Sequence, residues 1–168
     1  MVRLVVVMGV AGSGKTTVGR ALAMALQVPF CDADDLHPPA NTARMQQGLP
    51  LDDAHRWPWL AAVHDRLATA AQHREGLVMA CSALKASYRQ RLAADLPALA
   101  FVHLQAPRAV LENRLANRRG HFFPATLLDS QLATLEPLSA AEGFAVDATL
   151  EVEPLVAAIR LGLHNRAR

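Results

Sequence analysis

The chain has 168 residues, 52% of them hydrophobic and 19% charged, with a formal net charge of +2. Those proportions exclude a disordered or fibrous chain and allow one sheet-and-helix core, not two. No dense Lys/Arg block points to nucleic acid or to a membrane surface, and no apolar run approaches the roughly 20 residues of a bilayer span.

Short apolar runs alternate with longer helical patterns, the rhythm of a parallel sheet covered on both faces by helices. Strands are expected at Arg3–Met8, Pro29–Cys31, Leu77–Cys81, Ala100–Leu104 and Gly143–Ala148. After the first strand, Val18, Leu22, Ala25 and Leu26 form an apolar helical stripe, and Leu60, Val63 and Leu67 form another. Pro107 and Arg108 open a further helix that runs to about Asn117, with proline at the first turn where it is tolerated. Leu155, Val156, Ile159 and Leu163 mark a closing helix. Two stretches break the rhythm and read as functional loops: Asp32–Asp53, rich in Pro, Asp and Asn, and Arg118–Pro124, basic and aromatic.

The first strand passes directly into Gly9-Val10-Ala11-Gly12-Ser13-Gly14-Lys15-Thr16, which matches GxxxxGK[ST] and opens a helix. In that context the loop cradles a triphosphate. Its backbone N–H groups and the helix N-terminus face the phosphates, Lys15 reaches the terminal ones, and the Thr16 hydroxyl serves Mg2+. The ATP-binding set is therefore Gly9 to Thr16 with Thr17 beside it. The same apolar run enters the glycine loop rather than a cleavage site, so no secretory leader is expected and the protein reads as soluble and cytoplasmic. Cys31 and Cys81 stand far apart without metal-type spacing to the seven histidines, and are expected to be reduced strand cysteines.

Neither lysine follows an asparagine as a guanine-reading pair requires, and the strand ending at Cys81 carries no Mg2+-linked acid. The acid comes instead from Asp32-Ala33-Asp34-Asp35, at the sheet edge that also bears the phosphate loop. In an extended segment Asp32 and Asp34 point the same way, Asp32 toward the metal and Asp34 toward the attacking hydroxyl of an acceptor. His37, in a proline-stiffened loop, is placed to bond an acceptor hydroxyl. Lys15 and Lys85 are the only lysines among 17 basic residues, and Lys85 and Arg89 are four apart on one helix, a spacing that could clamp a carboxylate. Arg56, beside Trp57 and Trp59, is a third candidate cation. Arg118 and Arg119, with Gly120, His121, Phe122 and Phe123, look like a short lid whose arginines could neutralise the transferring phosphoryl group. These assignments describe a small-molecule kinase, with Lys15, Asp34 and Arg118 catalytic and Thr16 and Asp32 at the metal.

Asp32-Ala33-Asp34, Leu36-His37-Pro38, Asn41, Met45, Gly48, Pro50-Leu51-Asp52-Asp53, Arg56 and Trp59-Leu60 together resemble the gluconate kinases of the small P-loop type. Cys81-Ser82-Ala83-Leu84-Lys85, Tyr88-Arg89, Arg114-Leu115, Arg118, Gly120-His121-Phe122-Phe123, Ser130-Gln131 and Leu135-Glu136-Pro137 continue the likeness. The resemblance implies the P-loop fold of the nucleoside-kinase type, spanning 1–168 as one domain with an acceptor-binding insertion at about 35–75 and a lid at about 118–124. It also implies ATP-dependent conversion of D-gluconate to 6-phospho-D-gluconate with Mg2+, and a homodimer. The substrate-binding set it suggests is Asp34, His37, Arg56, Lys85, Arg89, His121 and Gln131, with Arg114 and the segment near Gln131 also open as contributors at the adenine or at the acceptor. A related kinase for shikimate or another hydroxy acid is the alternative. The sequence departs from the family's usual pattern at Ala33, where glycine is commoner, and at Asp35, where an aromatic or apolar residue is commoner.

Overall fold

The computed structural model describes residues 3–118 and 125–167. Five parallel strands form one sheet in the order β2-β3-β1-β4-β5: β1 (Leu4–Met8), β2 (Phe30–Asp32), β3 (Leu77–Ala80), β4 (Leu99–Gln105) and β5 (Gly143–Asp147). Each lies within a residue or two of its expected position. The central strand β1 reads Leu-Val-Val-Val-Met with every residue buried, as a parallel strand covered on both faces must be. Its alternation sorts the helices. Leu4, Val6 and Met8 pack with α3 (Asp53–Gln72) and α4 (Ala86–Ala93), whereas Val5 and Val7 pack with α1 (Lys15–Leu26) and α7 (Val152–Arg166). Burying each aliphatic side chain in these two layers contributes on the order of 1.5–3 kcal/mol before chain entropy is counted.

The stripe on α1 is offset slightly from its expected line: Val18, Gly19, Leu22 and Ala23 are buried, while Ala25 is exposed. On α3, Leu60, Val63 and Leu67 are all fully buried as the periodicity requires. The helix Arg108–Ala116 (α5) starts directly after Pro107, and α7 closes the chain on Leu155, Val156 and Ile159.

The stretch Asp32–Asp53 is not a plain loop. Ala33–Leu36 makes a turn of 3-10 helix, and Pro39–Gln46 forms the short helix α2 with Pro39 in its first turn. Proline pre-sets the helical φ there and lacks only an N–H that would be unpaired anyway. Because α2 buries only Asn41, it carries no apolar stripe that periodicity could reveal. A further helix, α6 (Ala125–Thr134), was likewise not expected. Its one fully buried residue is Leu128, which joins Val10, Leu84, Leu111 and Leu115 in a small cluster beneath the glycine loop. That cluster seats the loop against α5 and α6. Among the described residues, no helix is long and apolar enough to cross a membrane.

Candidate active site

The glycine loop emerges from the carboxyl end of β1, where a parallel sheet opens its ligand crevice. Gly12 has φ +81°, and a Cβ there would meet the Leu111 carbonyl oxygen at 3.0 Å and Leu115 Cγ at 3.1 Å. The loop can lie this close to α5 only with glycine at that point. Gly14 then precedes α1 without a side-chain cap and without an acidic residue in the first turn, so the helix's leading N–H groups stay available to an anion. From the other side, Gln131 Oε1 accepts the Ala11 N–H at 2.7 Å and props the loop from α6.

The cleft enclosed here is about 370 Å³. Its walls include Gly12, Lys15, Thr16, Thr17, Asp32, Asp34, Cys81, Arg114, Arg118 and Gln131. Lys15 Nζ donates to the Val10 carbonyl at 3.1 Å, which folds the side chain back over its own loop. Burial pulls the Lys15 pKa down, and the nearby Asp34 carboxylate is the strongest charge opposing that shift. Asp34 shows the reverse: removal from water raises its carboxyl above the ordinary range, Asp32 adds to the rise, and Lys15 works against it. Asp34 nevertheless remains open to the cleft. A carboxylate of raised basicity facing a desolvated ammonium is suited to holding a hydroxyl beside a phosphate.

Asp32 occupies two positions at once. Its Oδ2 accepts from the Thr16 hydroxyl at 2.9 Å, and its Oδ1 accepts from the Asp34 N–H at 3.0 Å, which caps the 3-10 turn. The two aspartates share the cleft because this turn swings them together, not because the segment is extended. Thr16 and Asp32 are oxygen donors of the kind Mg2+ takes. Among the described residues no cluster of three or more His, Cys, Asp or Glu could hold a metal. That sparse protein set fits Mg2+, which completes its shell with water and phosphate oxygens. Cys81 lines the same cleft, and burial drives its thiol pKa up to about 12.

Beside the cleft, a second group gathers around Tyr88. Its hydroxyl donates to Asp53 Oδ1 at 2.5 Å and accepts from Arg56 Nη1 at 3.0 Å, while Lys85 Nζ lies 3.4 Å from the same Asp53 oxygen. Both cations lie over the Tyr88 ring, Arg56 at 5.7 Å and Lys85 at 5.4 Å from its centroid. The Tyr88 bond holds the Asp53 carboxyl below its ordinary pKa, so the anion persists between the two cations. His37 stacks on Trp59 at 4.3 Å, and Trp59 Nε1 donates to the Ala33 carbonyl at 2.7 Å, tying this group to the aspartate turn. Ala33 itself is fully buried and is not among the residues of positive φ, so nothing in its backbone requires glycine. Asp35 is exposed in the 3-10 turn.

The expected Lys85–Arg89 clamp is not formed. Arg89 is 0% exposed: its Nε donates to Glu142 at 2.8 Å, Nη1 to the Ala83 and Leu84 carbonyls at 3.0 and 3.1 Å, and Nη2 to the Pro137 carbonyl at 3.0 Å. Ala83 sits at φ +47°, unfavourable for a residue with a Cβ, and Arg89 braces it there. Glu136 completes the brace by accepting the Ala86 N–H at the start of α4 at 2.6 Å. Gln131, expected at the substrate, is engaged with the phosphate loop, and Arg114 Nη2 donates to the Ala148 carbonyl at 2.6 Å. His121 and the rest of the expected lid from Arg119 to Pro124 lie outside the described residues. Arg89→Ala, which removes the guanidinium from Glu142 and from three carbonyls, is expected to destabilise the fold by about 3–5 kcal/mol. A urea titration reads this as a lowered midpoint, whereas an arginine that only bound substrate would leave the midpoint in place.

Residues 4–138 match a family model described as an AAA domain. The chain is 52% identical over 134 residues to a gluconokinase of Gluconobacter oxydans (strain 621H), covering 80% of this chain and 75% of that protein. It superposes on the crystal structure of a gluconokinase from Sinorhizobium meliloti 1021 with a TM-score of 0.88 and 47% identity, over 98% of this chain and 93% of that one. A shikimate kinase from Aquifex aeolicus, at TM-score 0.61 and 20% identity over 98% of each chain, shares the fold alone. By the identity and coverage of these relatives, the chain belongs to the gluconokinase family of P-loop kinases.

Proposed function

We propose that the cleft between the glycine loop and Asp34 transfers the terminal phosphoryl group of ATP in line to a hydroxyl of D-gluconate. The product is 6-phospho-D-gluconate. The observation that carries the reading is that Lys15, Thr16, Asp32, Asp34 and Arg118 line one cleft, in a chain whose relatives are gluconokinases. In this reading the loop N–H groups and Lys15 hold the phosphates, and Asp34 orients the attacking hydroxyl and takes its proton as the O–P bond forms. Arg118 neutralises charge on the transferring group from the side opposite Lys15. Thr16 and Asp32 would hold Mg2+, which supplies charge stabilisation at the phosphates when bound. Arg56 and Lys85, poised on Tyr88, offer the cationic partner for the acceptor's carboxylate. His37 meets a hydroxyl. We further propose a homodimer acting in the cytoplasm.

The distant likeness to shikimate kinase carries the alternative acceptor no further than the fold. A coupled ADP-release assay over gluconate, shikimate, nucleoside monophosphates and no acceptor discriminates these readings. Turnover is expected with gluconate, and turnover that is equal without any acceptor would count against a kinase altogether.

Asp34→Asn is expected to lower kcat by about 10²–10⁴ with little change in KM for ATP, the scale of a lost general base. Because burial raises the Asp34 pKa in the unliganded cleft, the acid limb of kcat/KM for gluconate in the wild-type protein should begin above the ordinary carboxylate range. As pH falls through that value the base becomes protonated and the rate drops, and Asp34→Asn should lack this limb. An unchanged kcat in Asp34→Asn would remove the base assignment.

A further inference from the structure

We infer that Asn41 is a positioning residue that holds His37 in the tautomer with its proton on Nε2, so that the ring offers a fixed N–H donor to an oxygen of the acceptor. Asn41 is a buried polar side chain, 4% exposed, on α2. Its Nδ2 donates to the His55 carbonyl at 2.8 Å and lies 3.3 Å from His37 Nδ1. The carbonyl can only accept, which fixes the amide's orientation: reversing it would set two oxygens against each other. With Nδ2 as a donor on both sides, His37 Nδ1 must be the bare, accepting nitrogen. A neutral imidazole then carries its hydrogen on Nε2.

The protonated ring is disfavoured for the same reason, because an Nδ1–H would point at the amide's own hydrogens. Burial, together with the charge of Arg56, also lowers the His37 pKa. Trp59 covers one face of the ring, with 12° between the planes. With one face stacked and Nδ1 occupied, Nε2 is the polar atom left over, and it has no hydrogen-bond partner among the described residues. A neutral donor of fixed direction recognises a hydroxyl or carboxylate oxygen and discriminates against an ammonium group. A polyhydroxy acid meets that requirement. The identity of this acceptor rests on the gluconokinase reading, while the tautomer itself does not.

Long-range ¹H–¹⁵N spectra of the full ¹⁵N-labelled chain, without ligand, report which nitrogen of His37 is bare. Nδ1 is expected to be bare, and an Nδ1–H tautomer would overturn the inference. Asn41→Asp puts an acceptor where the amide donated, so it should move the proton to Nδ1 and raise KM for gluconate by about tenfold, the scale of one or two lost hydrogen bonds. KM for ATP should change less than about twofold in the same variant. If Asn41→Asp fails to fold, His37→Gln and His37→Asn decide the matter. The glutamine amide reaches the place of Nε2 and should stay within a few-fold of the wild-type KM, whereas the asparagine amide reaches only as far as Nδ1 and should not. Equal loss in both, or a switched tautomer with unchanged KM for gluconate, would overturn the role. A wild-type protein that ignores gluconate yet shows bare Nδ1 would sink the gluconate reading and leave the tautomer standing, so the two failures can be told apart.

Discussion

The active-site edge of the sheet depends on the buried guanidinium of Arg89. The chain leaving β3 must turn through a left-handed Ala83 before α4 begins, and a residue with a Cβ does not hold that conformation unaided. Arg89 binds the carbonyls of Ala83 and of Leu84 after it, then reaches Glu142 and Pro137 on the segment that leads into β5. A charge taken wholly out of water is tolerable only when its donors are engaged in this way. By fixing where α4 starts, it fixes Lys85 and Tyr88, and through Tyr88 it fixes Arg56 and Asp53. The cations beside the cleft therefore owe their positions to a third cation that never meets the cleft.

The two halves of the cleft are joined by small polar links between elements distant in sequence. Thr16 on α1 is bonded to Asp32 at the end of β2, so the phosphate loop and the aspartate turn share a hydrogen bond. Trp59 on α3 holds the same turn through Ala33, and Gln131 on α6 holds the loop through Ala11. Lys15 and Asp34 then shift each other's proton affinity in the directions that keep both charged. Geometry and electrostatics serve one end: a nucleophile and a phosphate must be brought together in a cleft of limited size with little rearrangement.

Much of this fold was legible in the sequence because its signals are local. The five strands are short apolar runs, and the phosphate loop is a contiguous pattern between a strand and a helix. Asp34 could be read from its position at the end of β2, and Leu60, Val63 and Leu67 as core from their helical spacing. What could not be read depended on burial and on partners far along the chain. The spacing of Lys85 and Arg89 is the same whether the arginine faces a substrate or the interior, and only the fold reveals Glu142 and Pro137 around it. Gln131 carries no sign that its partner is Ala11, 120 residues away. The helices α2 and α6 each bury a single residue, too few for a periodic stripe. Asn41 looks like any helix-surface amide until His37 and His55 are seen on either side of it.

Cys81 lies on the wall of the reaction cleft, yet its thiol is displaced to a pKa of about 12 by burial. Near neutral pH, a group with that pKa is ionised to only about one part in 10⁵. The thiolate is the form that reacts with oxidants and electrophiles, so the sulfur on the cleft wall is chemically quiet. The same burial that shapes the wall also protects it.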